Sequence, residues 1–302
     1  MHLADKINHS VFEIDIELGD HTWWLPGPAA FAEELSQCLI RYILFEDVHE
    51  TCGQLAERWC DLLNASNPKL RAPMEQAWIE WTDPECGEQV GVLVNAASDG
   101  RGGILRMFWT KEETVEVAQA EVVFDFDAPI NFRQAKGRPL YGMRALPAAY
   151  GDLRRHLAIA IDSSWERYFR ATALGPHGLP EVSSICGERL WPDVVRVLAF
   201  FILLASRTPF IERPVLRERL NVSRVNAGKQ PLLDHVELRL GQPSSPNISG
   251  QEQTSGRKHP RLHMVRGHLV RRRDSVFWRA AHVRGGGSCE SPMPATRLVR
   301  MG

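Results

Sequence analysis

Residues 76–127 read QAWIEWTDPECGEQVGVLVNAASDGRGGILRMFWTKEETVEVAQAEVVFDFD. Short apolar runs alternate here with turn-forming pairs such as Asp83-Pro84 and Asp99-Gly100, a pattern typical of strands joined by tight turns. The runs cover 76–82, 89–96, 103–110 and 115–127. They predict an antiparallel meander. The Gly100-Arg101-Gly102-Gly103 turn joins two such runs and lacks a following Gly-Lys-Ser/Thr, so we expect no phosphate loop there.

Segments with helical periodicity flank this meander. Residues 28–48 begin with proline and repeat apolar side chains at spacings of three and four, which predicts one amphipathic helix, with a second helix at about 50–64. The same spacing predicts a helix over 147–173, and the stretch VLAFFILLA lies in a buried helix expected over 191–206. Residues 11–18 alternate and predict a strand. We therefore expect an α+β fold with helices packed on an antiparallel sheet.

The composition places the chain among ordinary globular proteins. It has 302 residues, of which 44% are hydrophobic and 24% charged, enough for about two domains. This composition excludes a disordered, collagen-like or coiled-coil protein. The six cysteines are too dilute for a disulfide scaffold, and none forms a Cys-x-x-Cys pair, so we expect a reducing compartment.

The net charge of −1 conceals an uneven distribution along the chain. Residues 1–100 carry a net charge of −13, residues 101–250 carry +4, and residues 251–302 carry +8. An acidic first part and a basic end suggest one region that avoids polyanions and another that binds them. The alternative is that the two ends neutralise each other in the folded protein.

Neither export nor membrane insertion is expected. The N-terminal stretch MHLADKINHSVFEIDIEL is acidic and lacks a basic segment followed by an apolar one, so it differs from a secretory signal. The most apolar stretch, 197–205, has nine residues, whereas a helix needs about 20 to cross a bilayer. We expect a cytoplasmic protein without a membrane partner.

Residues 211–284 are expected to form a smaller basic helix-plus-antiparallel-sheet unit, which follows an acidic α+β body of residues 1–210. Its elements are a basic helix over 213–228, a strand over 234–240, and a β-hairpin with strands over 262–272 and 276–284. Residues 241–258 are rich in Gly, Ser, Pro and Gln and predict a flexible loop. Residues 285–302 predict a disordered tail.

Positive charge is concentrated in the hairpin. Residues 257–284 contain nine Arg and Lys but one acid, and Phe277 and Trp278 lie among the arginines. Arginines that contact phosphates and aromatic rings that stack on bases are typical of single-stranded nucleic-acid sites. The expected nucleic-acid-binding residues are Arg266, Arg271, Arg272, Trp278, Arg279 and Arg284. The alternative is a solvated or internally paired face, because edge strands also use positive charge against aggregation.

Three hairpin histidines, His263, His268 and His282, are candidate catalysts of metal-independent RNA cleavage. That reaction needs a base, an acid and a cation, which two histidines and an arginine supply near neutral pH. If the numbers of paired residues add to an odd sum, His263 and His282 share a face and Arg284 lies opposite His263. If the sum is even, His268 and His282 share a face beside Arg266. The alternative is that these histidines are structural or surface residues.

Metal binding by the same histidines is not expected. His263 and His268 are separated by four residues, a spacing that suits a helix, whereas in a strand residues an odd number apart lie on opposite faces. We therefore expect neither a metal nor a cofactor.

Three patterned segments occur near the C-terminal end: RLNxxRxxxGxxPL at 219–232, PRLHxVRGHxVR at 260–271 and FWRxxHxRG at 277–285. Over the last ~90 residues, which contain these segments, the chain resembles an uncharacterised family of tailed-phage and prophage proteins. The resemblance implies a phage or prophage origin without an established activity. We therefore expect a phage-derived intracellular protein that engages nucleic acid, with RNA cleavage as a subsidiary hypothesis. The alternative is a non-enzymatic factor whose acidic half binds a host protein or its own basic end.

Overall fold

A computed structural model describes residues 1–18, 21–131, 139–172, 175–206, 208, 210–241, 263–265, 268–272, 275–279 and 282–284. Within these residues the predicted α+β class is confirmed, because helices cover a mostly antiparallel sheet of ten strands. Residues 242–258 of the predicted flexible loop lie outside the described residues, as does the tail predicted at 285–302.

The strands before the hairpin are, in chain order, β1 (Glu13–Leu18), β2 (His21–Pro26), β3 (Ile40–Leu44), β4 (Gln76–Thr82), β5 (Gln89–Ala96), β6 (Gly102–Lys111), β7 (Thr114–Val117), β8 (Ala120–Asp125), β9 (Tyr141–Gly142), β10 (Leu157–Ile161), β11 (Phe210–Val215) and β12 (His235–Leu240). The α-helices are α1 (Leu3–Ile7), α2 (Ala32–Gln37), α3 (Glu46–Arg58), α4 (Ser163–Ala171), α5 (Gly175–Ala205) and α6 (Glu218–Asn226). Short 3₁₀ helices lie at Pro28–Phe31, Cys60–Leu63 and Ala148–Arg155.

The main sheet has the order β11-β12-β3-β4-β5-β6-β8-β10-β9, and β7 also pairs with β6. The meander predicted over 76–127 is confirmed, because β4, β5 and β6 pair antiparallel and β8 pairs with β6. Two neighbouring pairs are parallel, β12 with β3 and β3 with β4. Helix α3 provides the crossover from β3 to β4 that a parallel pair requires. Strands β1 and β2 form a separate antiparallel pair.

Helices cover both faces of the sheet. Ile79 and Trp81 of β4 belong to a large core with α3 and α5, whereas Trp78 belongs to a smaller core with α1 and the 3₁₀ helix at Pro28–Phe31. Because both faces of the sheet are covered, nearly all residues of β4 are buried, and the strand does not alternate between a solvent-exposed and a buried face. The apolar residues 197–203 of α5 are buried in the large core.

A buried carboxylate fixes α1 to the sheet. Glu80 of β4 accepts hydrogen bonds from the main-chain N–H groups of Leu3 and Ala4, at 2.7 and 3.1 Å, and from the Trp78 indole at 3.0 Å. These N–H groups are unpaired donors of the first helical turn, where negative charge is favourable. Glu80 therefore acts as a cap supplied by a distant strand.

Two predicted helices are wrong in part, since each contains a strand. The helix expected over 28–48 is interrupted by β3, and the helix expected over 147–173 is interrupted by the buried strand β10. Both strands are short apolar runs with β-branched residues, IRYIL and LAIAI, whose spacing does not distinguish a strand from a buried helix. Helix α5 is also longer than the predicted 191–206 and includes Pro180 and Pro192.

The basic part of the chain shares the sheet of the body. The helix expected over 213–228 is confirmed from Glu218 to Asn226, but residues 210–215 form β11 instead. The strand expected over 234–240 is confirmed as β12, which pairs with β3. Residues on both sides of the boundary drawn at 210 therefore belong to one sheet. No helix among the described residues is long and apolar enough to span a bilayer.

Candidate nucleic-acid interface

The predicted hairpin is confirmed in four short strands, β13 (His263–Val265), β14 (His268–Arg272), β15 (Ser275–Arg279) and β16 (His282–Arg284). β13 pairs with β16, and β14 pairs with β15, both antiparallel. Arg272 pairs with Ser275, which leaves two residues between the strands, the length of the commonest hairpin loop.

The register is the first of the two alternatives. His263 pairs with Arg284, and Val265 pairs with His282, so His263 and His282 occupy one face of the β13–β16 ladder. His268 is in the other ladder, opposite Arg279. The structure thus brings His263 and His282 into the same ladder and places His268 apart from them. Arg266 lies outside the described residues.

One face of the β14–β15 ladder is attached to the body. Val276 is 2% exposed and Leu269 packs against the large core. Arg271 forms an ion pair with Asp61, which lies in the 3₁₀ helix at Cys60–Leu63, with nitrogen–oxygen distances of 2.6 and 3.0 Å. Trp278 pairs with Leu269 in this register. Two apolar residues and one ion pair therefore hold the hairpin against the body.

The opposite face of the β14–β15 ladder exposes polar side chains to solvent. His268, Arg272 and Arg279 are exposed and alternate with the residues that contact the body. His268 lies directly opposite Arg279, so their β-carbons are about 5 Å apart. We call these three residues the outer face of the hairpin. Two guanidinium groups and an imidazole on one face provide several donors for phosphate oxygens.

The acidic and basic parts of the chain neutralise each other in part. Arg271 pairs with Asp61, and Arg217 lies 3.4 Å from Asp5, whose side chain is 2% exposed. The first contact joins residues 1–100 to the basic end at 251–302, and the second joins them to residue 217 of the segment 101–250. The arginines of the outer face are not included in these two pairs.

A buried polar cluster in the body was not foreseen from the sequence. His49 of α3 is 7% exposed and stacks on Trp81 at 5.7 Å, and neither ring nitrogen has a partner among the described residues. Burial, assisted by Arg196, lowers the pKa of His49 to about 4. The imidazole is therefore neutral at pH 7. No local sequence pattern predicts this cluster, because its members come from α3, β4 and α5.

Asp193 is the acid of the same region. It accepts a hydrogen bond from the Trp109 indole at 3.1 Å and lies 3.4 Å from the Arg196 guanidinium. Burial raises the pKa of Asp193, and these two donors oppose that rise. The described residues contain no group of three or more His, Cys, Asp or Glu that could hold a metal ion.

Comparisons with protein-family models, with curated proteins and with solved structures found no match to this chain. The resemblance to phage proteins therefore stays a prediction.

Proposed function

We propose that the protein binds single-stranded nucleic acid, RNA in particular, through the outer face of its C-terminal hairpin. The observation that supports this proposal most directly is the division of the β14–β15 ladder into two faces. Leu269, Arg271 and Val276 attach one face to the body, and His268, Arg272 and Arg279 are exposed on the other.

Attachment to the body makes this face a better ligand surface than an isolated hairpin would be. A two-stranded hairpin alone is marginally stable in water, so its arginines would be ordered only on binding. Burial of Val276 and the Arg271–Asp61 pair hold the strands before any ligand arrives. The entropy lost on binding is then smaller, and more of the phosphate attraction contributes to affinity.

Base stacking would add to the phosphate contacts. Phe277 pairs with Val270, and Trp278 pairs with Leu269. Trp278, which precedes Arg279 in β15, stays the predicted stacking residue.

Cleavage of RNA is the subsidiary part of the proposal. His263, His282 and Arg284 share the β13–β16 ladder, with His263 directly opposite Arg284. A base, an acid and a cation at neighbouring positions are what metal-independent cleavage requires. The phage origin and intracellular location expected from the sequence belong to the same proposal.

Affinity for labelled RNA and DNA tests the proposal. Fluorescence anisotropy in EDTA would compare the unmodified protein with the Arg272→Ala/Arg279→Ala variant, which we expect to bind at least about tenfold more weakly. The Arg213→Ala/Arg219→Ala variant removes the same charge from β11 and α6 and should bind normally. Equal weakening in both variants, or in neither, would reject the outer face as the site.

Cleavage is measured in the same samples. Loss of RNA cleavage in a His263→Ala/His282→Ala variant, which keeps His268 of the outer face and still binds RNA, would assign catalysis to the histidines. Binding without any cleavage would leave a nucleic-acid-binding protein and reject the ribonuclease hypothesis.

A second candidate is a non-enzymatic factor that binds a host protein. One observation favours it: β1 exposes Glu13, Asp15 and Glu17, three carboxylates at alternate positions of one strand. A partner with a basic surface would complement them. Binding to a host protein that persists in the Arg272→Ala/Arg279→Ala variant would support this function, and a Glu13→Gln/Asp15→Asn/Glu17→Gln variant should then lose it.

A further inference from the structure

A cavity of about 320 Å³ lies between the β6–β7–β8 part of the sheet and helices α4 and α5. Its volume is near the lower end of small-molecule sites. Trp109, Trp165, Cys186, Arg189 and Leu190 contribute to its wall. Ile185, which is 62% exposed, also lines it. The cavity therefore has an interior of large apolar side chains and an apolar residue open to solvent.

Most residues of the interior wall are apolar, although Glu116, Gln119 and Arg189 also line the cavity. The Trp109 indole nitrogen already donates to Asp193, and the Arg189 guanidinium lies over the face of the ring. Cys186 is buried, and burial raises the pKa of its thiol to about 11, so the thiol is protonated at neutral pH. A protonated buried thiol behaves as a small apolar group. An apolar wall of this kind suits an aromatic ring.

One buried polar group of the cavity lacks a hydrogen-bond partner among the described residues, and it is a donor. Trp165 is 7% exposed and its indole nitrogen is buried without a hydrogen-bond partner among the described residues. Unpaired buried N–H groups are rare in proteins, and a ligand that accepts the hydrogen bond is one explanation for such a group. Indole nitrogen donates only, so the missing partner is an acceptor.

Arg189 supplies positive charge at the same cavity. Its guanidinium lies 4.3 Å from the centre of the Trp109 ring and donates to Glu116 at 2.7 Å. A guanidinium has five donors, so one hydrogen bond to Glu116 leaves others for a ligand. Lys111, 3.9 Å from Glu116, offsets the charge of that carboxylate.

We propose that this cavity binds a small aromatic carboxylate, with the ring against the apolar wall and the carboxylate accepting from the Trp165 N–H and Arg189. A carboxylate only accepts hydrogen bonds and carries the charge that Arg189 favours. This site lies in the body and is independent of the hairpin and of the proposed function.

Isothermal titration calorimetry with phenylacetate and with its neutral amide, phenylacetamide, tests the proposal on the full chain. We expect phenylacetate to bind with a Kd below about 1 mM, and the amide to bind about tenfold more weakly. Trp165→Phe keeps the ring and removes the N–H, and should weaken phenylacetate about tenfold. Arg189→Met should abolish the preference for the acid over the amide.

Arg167→Met serves as the control, because Arg167 is an exposed arginine of α4 that does not line the cavity. It should bind phenylacetate normally. Absence of binding by both compounds at about 10 mM, or equal affinities for acid and amide, would overturn the proposal. So would unchanged phenylacetate affinity in both Trp165→Phe and Arg189→Met, since binding would then be elsewhere. The comparison of acid with amide needs no variant and stands even if one variant fails to fold.

Discussion

Replacing His49 by leucine should stabilise the protein, and by more in acid than at neutral pH. His49 is buried against Trp81, and both ring nitrogens lack partners among the described residues. An unpaired buried polar group costs about 1–3 kcal/mol. Removing two such groups gains about 2 kcal/mol at the lower figure, and losing the ring stack on Trp81 costs about 1 kcal/mol. The expected gain at neutral pH is about 1 kcal/mol.

The larger stabilisation expected at acid pH follows from proton linkage. Burial lowers the pKa of His49 from 6.5 to about 4, so between these values the unfolded chain binds a proton that the folded protein does not. Above pH 6.5 the imidazole is neutral in both states, and His49 does not make the free energy of unfolding depend on pH. As the pH falls from 6.5 toward 4, this free energy decreases progressively, by about 3 kcal/mol. Leucine does not titrate, so the advantage of the variant should grow over this range.

Urea unfolding of the unmodified protein, His49→Leu and His49→Gln, followed by far-UV circular dichroism from about pH 7.5 to about pH 4.5, measures both effects. Glutamine does not titrate but keeps polar atoms in the buried site. We expect His49→Gln to lose the pH dependence without the gain at neutral pH, and His49→Leu to show both. Parallel stability curves for all three proteins would refute the reasoning, because His49 would then have the same pKa in the folded and unfolded chain.

Three further predictions concern other contacts. Glu80→Ala should destabilise the protein by about 3 kcal/mol in urea unfolding, because the two main-chain N–H groups of α1 and the Trp78 indole lose their buried acceptor; a loss below about 1 kcal/mol would contradict the capping role. Ile159→Ala in the fully buried strand β10 should cost about 2–5 kcal/mol, whereas an unchanged midpoint would argue against that strand. Asp61→Asn breaks the exposed ion pair with Arg271 that helps to hold the hairpin, so urea unfolding should change by less than about 1 kcal/mol while RNA affinity falls about twofold; an unchanged or higher RNA affinity would show that the pair does not order the hairpin for binding.

The sequence predicted those parts of the fold in which local pattern and tertiary structure agree. The runs of the meander are separated by turn residues, and adjacent runs pair with each other, so β4, β5 and β6 needed no distant information. Strand β3 is different. It pairs with β12, which lies almost 200 residues further along the chain, and with β4 through a helical crossover. No local pattern encodes such pairing, and an apolar run of five residues fits a buried helix as well as a strand.

The candidate interface shows the same division. The arginine-rich sequence predicted a hairpin, and the alternation of its residues limited the register to two alternatives. The choice between them required the pairing of Arg272 with Ser275. The face that contacts the body also depends on a distant partner, Asp61, so sequence alone did not separate Arg271 from Arg272 and Arg279. The donors of the cavity beside α5 come from separate elements and were not foreseen.

The salt dependence of RNA binding tests the central claim most directly. Plots of log Kd against log salt concentration for a labelled single-stranded RNA should be linear, and each phosphate contact contributes about 0.7 to the slope. We expect Arg272→Ala/Arg279→Ala to reduce the slope by about 1.4, since it removes two contacts, and Arg213→Ala/Arg219→Ala to leave it unchanged. A slope in the Arg272→Ala/Arg279→Ala variant equal to that of the unmodified protein would contradict nucleic-acid binding by the outer face of the hairpin.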